Sequence, residues 1–371
     1  MPYSVHASVR DLPLPAKQAL EGQRRLLESE AWFRYCEQAS HGSLRYLCVS
    51  GAAGEFVALA PYHFFDESPA FALRRPELLL GDRAVVAELY PAIVGVLDGA
   101  HFPVVASGPQ SVVLPSVVEA LQDIARSEKV RTLSIPFLDG AEQATIAAGV
   151  LETDPVPLTT AGVCVLDVNW SDFDGYLATL QRDRRSAIRA EIRRFDASGS
   201  RVSVNHGTGA LDVVTAELQA GLQARHGTRS GVDVLMRGYD LLRRTIDDNV
   251  VTFRGELDGR PTGIVVCLRD GETLYVRAVG VPQGDPNFTY FNLFFYSPIR
   301  WGIANGISRF VFGTGTYLAK RIRGCRVERK YGTVTWPEGA EYRALARRRS
   351  REVETELGKA GFAQPVDPEN V

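Results

Sequence analysis

The order of apolar patterns predicts a mixed α/β protein, α+β in layout and built as two lobes. Three observations carry this. Over residues 1–160, stretches with helical periodicity alternate with short β-branched and aromatic runs. The same succession recurs after residue 160. The chain has 371 residues, beyond the ~250–300 at which a single core stops growing.

The first lobe opens with one or two helices over 16–40, with Leu20, Leu26, Leu27, Trp32 and Tyr35 as apolar positions and Gly42 as the stop. Residues 44–49 and 56–64 flank a Gly-Ala-Ala-Gly loop and predict a hairpin. A helix is expected over 83–97, broken only by Pro91, followed by a short buried strand at 104–106. A helix over 112–128, a strand over 132–137 and a short helix over 141–148 complete the lobe. In the second lobe a strand over 163–168 leads into a long amphipathic helix over 173–195. A strand at 202–204 and helices over 211–225 and 235–247 follow. Strands over 249–256, 263–269 and 273–280 form a meander, because Asp258-Gly259 and Asp270-Gly271 are hairpin-turn signals. Then come a polar loop, a helix over 290–305 capped by Gly306, and a strand over 308–312. Tyr90-Pro-Ala-Ile-Val-Gly and Tyr296-Ser-Pro-Ile-Arg-Trp-Gly, each leading into a strand, form an internal echo. The expected domains are 1–160, 161–335 and a basic terminal segment over 336–371, with Arg343 to Arg351 on a terminal helix.

Composition excludes several classes. With 45% hydrophobic and 23% charged residues the chain is neither collagen-like, disordered nor supercharged. No apolar run approaches the ~18–20 residues of a spanning helix, and residues 1–20 lack the pattern of a secretory signal. Cys36, Cys48, Cys164, Cys267 and Cys325 are odd in number and form no CxxC pair, which argues against a disulfide framework and a zinc site. A cytoplasmic location is expected. The six histidines show no metal-ligand spacing; there is no HExxH, nucleophile elbow or Walker loop, so no metal is expected. His63, Cys48, Cys164 and Cys267 read as core residues. Cys325 lies among arginines able to lower its pKa, although no base pairs with it.

The formal net charge of −2 is an average. Residues 1–160 hold 12 basic and 19 acidic residues, and the remainder 30 and 25. Positive charge gathers in three blocks, 182–201, 320–330 and 343–351.

Several segments of the second half carry a family resemblance. Phe173-Asp-Gly-Tyr-Leu-Ala-Thr-Leu with Arg184-Arg-Ser-Ala-Ile-Arg resembles the opening helix of the Fem-type, double acetyltransferase-like proteins within the GNAT superfamily. Leu257-Asp-Gly-Arg-Pro-Thr-Gly-Ile with Leu274-Tyr-Val is similar to their meander. The run from Arg309 through Gly313-Thr-Gly-Thr-Tyr and Lys320 to Gly324 is similar to their closing strand, glycine turn and lysine segment. Glu30-Ala-Trp-Phe and Ser134-Ile-Pro-Phe-Leu are similar to the matching places of the degenerate first lobe. The likeness spans about residues 30–335. It implies tandem GNAT-like acyltransferase domains, each a mixed sheet flanked by helices, with the site in the second.

What the resemblance implies chemically is acyl transfer to an amine. This needs an uncharged amine, a positioned donor carbonyl, and positive or hydrogen-bond-donating groups at the developing oxyanion. Coenzyme-A-dependent relatives use a basic glycine-rich turn to cradle pyrophosphate. Here that loop reads Gly280-Val-Pro-Gln-Gly-Asp-Pro-Asn-Phe-Thr-Tyr290, with two prolines, Asp285 and no arginine. This departure resembles the Fem branch, whose donor is an aminoacyl-tRNA. Lys320 is then expected as the catalytic residue, supplying charge to the donor and the oxyanion. Arg185 and Arg189, with Arg321 and Arg323, are expected to contact donor phosphate. Tyr275 and Arg277, sharing a strand face by alternation, are expected to line the pocket together with Tyr290, Asn292, Thr316 and Tyr317. No residue stands out as the general base, which leaves substrate-assisted transfer or water.

The expected reaction is amide formation by transfer of an aminoacyl or modified acyl group from a charged tRNA to a small-molecule or peptidic amine, in bacterial specialised metabolism. The expected partners are the tRNA acceptor end and that amine. No cofactor is expected, the donor being a co-substrate. An acyl-coenzyme-A N-acyltransferase and a non-catalytic scaffold protein are the alternatives.

Overall fold

A computed structural model describes residues 1–40, 42–69, 74–81, 86–97, 102–151, 158–226, 230–284, 287–337 and 340–363. By its contacts the chain forms two compact units, one of Met1–Gly162 with Glu328–Val371 and one of Val163–Val327.

The first unit begins with β1 (Tyr3–His6), α1 (Leu14–Glu21) and α2 (Glu30–Ala39). Ser29 caps α2 by accepting the Trp32 amide proton, as its position before the apolar periodicity requires. The hairpin of β2 (Leu44–Ser50) and β3 (Phe56–Phe65) follows, then β4 (Ala92–Val94), β5 (Val105–Ala106), α3 (Gln110–Ser127), β6 (Thr132–Leu138) and α4 (Ala141–Val150). Strands β1 to β4 pair antiparallel in order, β5 pairs with β3, and β4 runs parallel to β6. One face of this sheet packs Leu47, Ala58, Ala60 and Tyr62 against Val117, Leu121 and Ile124 of α3.

The helix expected over 83–97 is not formed. Val86–Leu89 is a 3-10 turn and Ala92–Val94 is the buried strand β4; residues 83–85 lie outside the described residues. The run is mostly apolar, a pattern that helix and buried strand share, and Pro91 removes a backbone donor just before the strand. The internal echo fails with it, since only its second copy is helical.

β7 (Leu158–Asp167) leads into the second unit. There α5 (Phe173–Ala178) and α6 (Arg182–Ala197) replace the single helix expected over 173–195. The break is sealed by Arg185 Nη1, which donates to the carbonyls of Ala178 at 3.3 Å and Leu180 at 3.0 Å. β8 (Arg201–His206), α7 (Val213–Arg225), α8 (Val232–Ile246), β9 (Val250–Leu257), β10 (Arg260–Asp270) and β11 (Thr273–Gly280) come next. The crossover runs through α9 (Thr289–Phe291), a π-helical turn over Asn292–Tyr296 and α10 (Ser297–Ala304) to β12 (Arg309–Gly313) and α11 (Tyr317–Arg321). Strands β8 to β11 are antiparallel in order, β11 runs parallel to β12, and β12 pairs antiparallel with β7. The chain then re-enters the first unit through β13 (Arg326–Thr335), which pairs antiparallel with β6, and ends in α12 (Ala340–Lys359). On α12, Tyr342 and Ala346 pack with Phe65, Ala92 and Val94. Residues 328–335, expected with the second lobe, and the terminal helix, expected as a separate segment, therefore group with the first unit.

The two units share one topology. Each is a mixed sheet of antiparallel strands, one parallel pair and a last antiparallel strand; β13 completes the first unit and β7 the second. α7 lies so close on β11 that a Cβ on Gly280 would meet the Gln219 backbone nitrogen at 2.5 Å. Gly280→Ala is therefore expected to destabilise the protein by about 3 kcal/mol, the upper end for overpacking. An unchanged midpoint in denaturant titration would contradict this close approach.

Candidate active site

The parallel pairing of β11 with β12 covers only Thr273–Tyr275 against Arg309–Val311, after which β11 continues to Gly280 beside no further β12 partner. A β-bulge sits in this free part of β11. Val276 pairs with Cys267 and Ala278 with Val266, so Arg277 is the extra residue. The bulge also breaks the alternation from which Tyr275 and Arg277 were expected to share a face; both are half-buried.

At the end of β12 the chain turns through Gly313, Gly315 and Thr316, with φ of 70°, 73° and 44°. Left-handed conformations suit glycine, and the one at Thr316 is strained. α11 starts there and carries Lys320 back beneath the turn. Lys320 is 2% exposed, and its Nζ donates to the carbonyl oxygens of Gly313 at 3.0 Å and Thr314 at 2.8 Å. Burial pulls its pKa down to about 8, with Cys164 and Cys325 opposing. The ammonium thus stays charged at neutral pH.

The crossover helix supplies the neighbouring side chains. Phe288 enters it at φ 58°, and Asn292, 3% exposed, donates from Nδ2 to the Phe288 carbonyl at 3.0 Å. Tyr290 stacks on Phe294 at 5.2 Å; burial raises its pKa, and Arg323 and the Thr316 hydroxyl oppose that shift. Tyr317 is buried and Thr316 exposed. The structure therefore brings Lys320, Thr316, Tyr317 and Tyr290 to one turn, while the side chain of Asn292 turns back to its own helix. Asp285 and Pro286 of the loop before the helix lie outside the described residues.

The arginines expected at donor phosphate separate. Arg189 is exposed and pairs with Asp174 at 3.3 Å, Arg321 is exposed on α11, and Arg185 caps α5. Arg323 is corrected outright. It is 3% exposed, its Nη2 pairs with Glu191 Oε2 at 2.9 Å, and its Nε donates to Tyr296 Oη at 2.9 Å. The guanidinium also lies 3.8 Å from the centre of the Phe291 ring. Spent on internal partners, it braces the π-helical turn and has no face for a phosphate. Glu191 and Tyr296 were missed in the sequence. The signal lay in the spacing: Glu191 falls between Ile188, Ile192 and Phe195 on the buried side of α6.

Cys325 is corrected too. It is buried, and desolvation drives its pKa up against the pull of Lys320 and Arg323, so the thiol is unreactive. His63 is fully buried, its pKa pushed down to about 3 by desolvation and by Arg74. Its Nδ1 lies 2.9 Å from Ser43 Oγ, and its Nε2 has no partner among the described residues. Among the described residues no His, Cys, Asp and Glu group is placed to hold a metal, and no helix is long and apolar enough to cross a membrane.

No curated protein sequence matches the chain. Similar solved structures include FemX, with TM-score 0.60 and 13% identity, covering 93% of this chain and 100% of FemX. L-PGS from Bacillus licheniformis gives 0.53 and 12%, covering 92% and 97%. A tandem GNAT protein from the clavulanic acid biosynthesis pathway gives 0.51 and 10%, covering 91% and 100%. At such identities these neighbours establish the fold, a GNAT-like one of Fem type. The family model FemAB_like, described as peptidoglycan biosynthesis/recognition, matches residues 96–354, well over half of the sequence, and the chain belongs to this family of Fem-type acyltransferase fold.

Proposed function

We propose that this protein forms amides by moving an aminoacyl or modified acyl group from a charged tRNA to the amine of a peptidic or small-molecule acceptor. The observation that carries the reading is the charged, buried Lys320 held by the Gly313 and Thr314 carbonyls beneath a strained glycine turn. An ammonium has three N–H bonds; two are committed to those carbonyls and the third serves the donor. In this reading it steadies the donor carbonyl and the oxyanion that forms when the acceptor amine attacks. Preorganised charge in a water-poor site serves this role. Tyr290 and Thr316 offer hydrogen bonds around the same turn. The acceptor amine loses its proton to water or to the departing tRNA hydroxyl, since no side chain is assigned as base.

The loop before α9 supports a tRNA donor over coenzyme A. Proline at 282 and 286 removes backbone donors, and the loop carries no arginine to meet a pyrophosphate. The family description supports a peptidic amine as acceptor. In the test, the protein is incubated with total charged tRNA and candidate amines, and new amides are read by mass spectrometry with and without ribonuclease. A ribonuclease-sensitive amide is expected, together with no thermal shift from millimolar acetyl coenzyme A. An amide formed from acetyl coenzyme A without tRNA would overturn the choice of donor.

A further inference from the structure

We infer that the Phe288 ring and the Arg194 guanidinium form a stacking seat for a purine base, the terminal adenine of the acyl donor. The inference rests on the function proposed above, which places a nucleoside beside Lys320. In a charged tRNA the acyl carbonyl is an ester on the ribose of the terminal adenosine. A site that holds this carbonyl therefore meets the base one sugar away.

Local chemistry does not explain Phe288. Its φ of 58° is one that bulky side chains rarely adopt, and as the residue before α9 it makes no side-chain cap bond. An asparagine would tolerate this conformation and cap the helix, and Asn287 stands one place earlier. The strained backbone is instead held in place: the buried Asn292 donates to the Phe288 carbonyl from its amide nitrogen at 3.1 Å and from Nδ2 at 3.0 Å. Strain that the surroundings hold in this way collects at ligand clamps. The half-buried Phe288 ring stacks on Phe291, with centroids 6.4 Å apart and 26° between planes.

The cations at the two ends of this ladder differ. Arg323 is buried, paired with Glu191, and 3.8 Å from the Phe291 centroid, in full contact. Arg194 lies over Phe288 at 5.7 Å, is exposed, and pairs with no carboxylate among the described residues. That spacing exceeds the 3.5–4.0 Å of packed atoms and falls short of the ~7 Å that a flat ring between two planes needs. A small swing of this unpaired side chain opens the slot. The seat also adjoins the candidate site, since Phe291 meets the Tyr290 ring at 5.3 Å and Tyr290 is hydrogen-bonded to Thr316. Aromatic and guanidinium planes both stack on bases, whereas the Phe288 ring offers a phosphate no donor.

The test uses the full chain, fluorescently labelled tRNA and the same tRNA shortened by its terminal adenosine, with affinity read by anisotropy. The wild-type protein is expected to bind the intact tRNA about 5–100-fold more tightly. Phe288→Leu keeps an apolar side chain and removes the π-face. It should bind both tRNAs alike, with its melting temperature close to that of the wild type and its salt dependence unchanged, since no phosphate contact is lost. Phe288→Trp should keep the preference. Arg194→Gln, at an exposed position on α6, carries no folding burden and should lose part of it. A preference that survives in Phe288→Leu overturns the proposal, as does equal binding of the two tRNAs by the wild type. Adenine is also part of coenzyme A, so that molecule forms a second arm. Binding of coenzyme A that depends on Phe288, without any preference for intact tRNA, overturns the assignment to tRNA. If the preference depends on Phe288 but charged tRNA yields no amide, the proposed reaction falls and the seat stands. If amide forms and the preference is absent, the seat falls alone.

Discussion

Lys320→Ala is expected to cut acyl transfer by on the order of 10²–10³-fold, the usual consequence of removing one preorganised charge at a developing oxyanion. The fold should survive. Thr314 is exposed and Gly313 half-buried, so water can reach the carbonyls that lose the ammonium, and a charged group whose burial disfavours it is gone. The pH dependence gives a second readout. The folded pKa of Lys320, about 8, lies below its ordinary value of 10.5. Between these values the unfolded chain holds the proton more tightly, so the contribution of Lys320 to stability rises with pH from about 8 to 10.5. Below about 8 the cost of its burial is present in full. Measured against Lys320→Met, the wild-type protein should therefore gain stability between pH 8 and pH 10, while transfer declines over the same window as the ammonium is lost. Near-normal turnover in Lys320→Ala would remove the residue from the mechanism.

The largest effect on stability is expected at Arg323. Arg323→Met leaves Glu191 facing Tyr296 with its cation gone, and breaking a buried pair from one side costs about 3–5 kcal/mol. It also strips a cation from the Phe291 ring, so the π-helical turn loses a brace on both sides. Arg323→Met with Glu191→Gln should recover about 1–3 kcal/mol of that loss, because the stranded charge is removed. Denaturant titration of the two single variants and the double variant measures the coupling. A single-variant loss under ~1 kcal/mol would mean that Glu191 is already satisfied by water.

The hairpin and the meander were legible because local chemistry dictates them. Asp258, at φ 51°, and Gly259, at φ 73°, take the left-handed conformations that an Asp-Gly turn demands. Lys320 and its glycine turn were also visible, since the turn and the lysine are close in sequence. What stayed hidden depends on distant partners. β13 reads Arg-Val-Glu-Arg-Lys-Tyr, a basic surface segment to the eye, and becomes a strand once Arg329 meets Glu354 and Lys330 meets Asp139. Arg323 looked like a donor ligand for the same reason: the carboxylate that claims it, Glu191, lies 132 residues earlier. The helix expected over 83–97 was lost where an apolar run fits helix and buried strand equally.

The return of the chain through β13 sets an order of assembly during synthesis. Val163–Val327 is one uninterrupted stretch, so the strands of the second unit are all synthesised before β13 and α12, which belong to the first. The first unit is translated earlier and yet is closed later. β6 keeps an open edge until Tyr331 to Thr335 emerge to pair with it, and the side of the sheet bearing Phe65 waits for Tyr342 and Ala346. An edge left open for that long is the stretch of chain most exposed to wrong pairing and to chaperone capture.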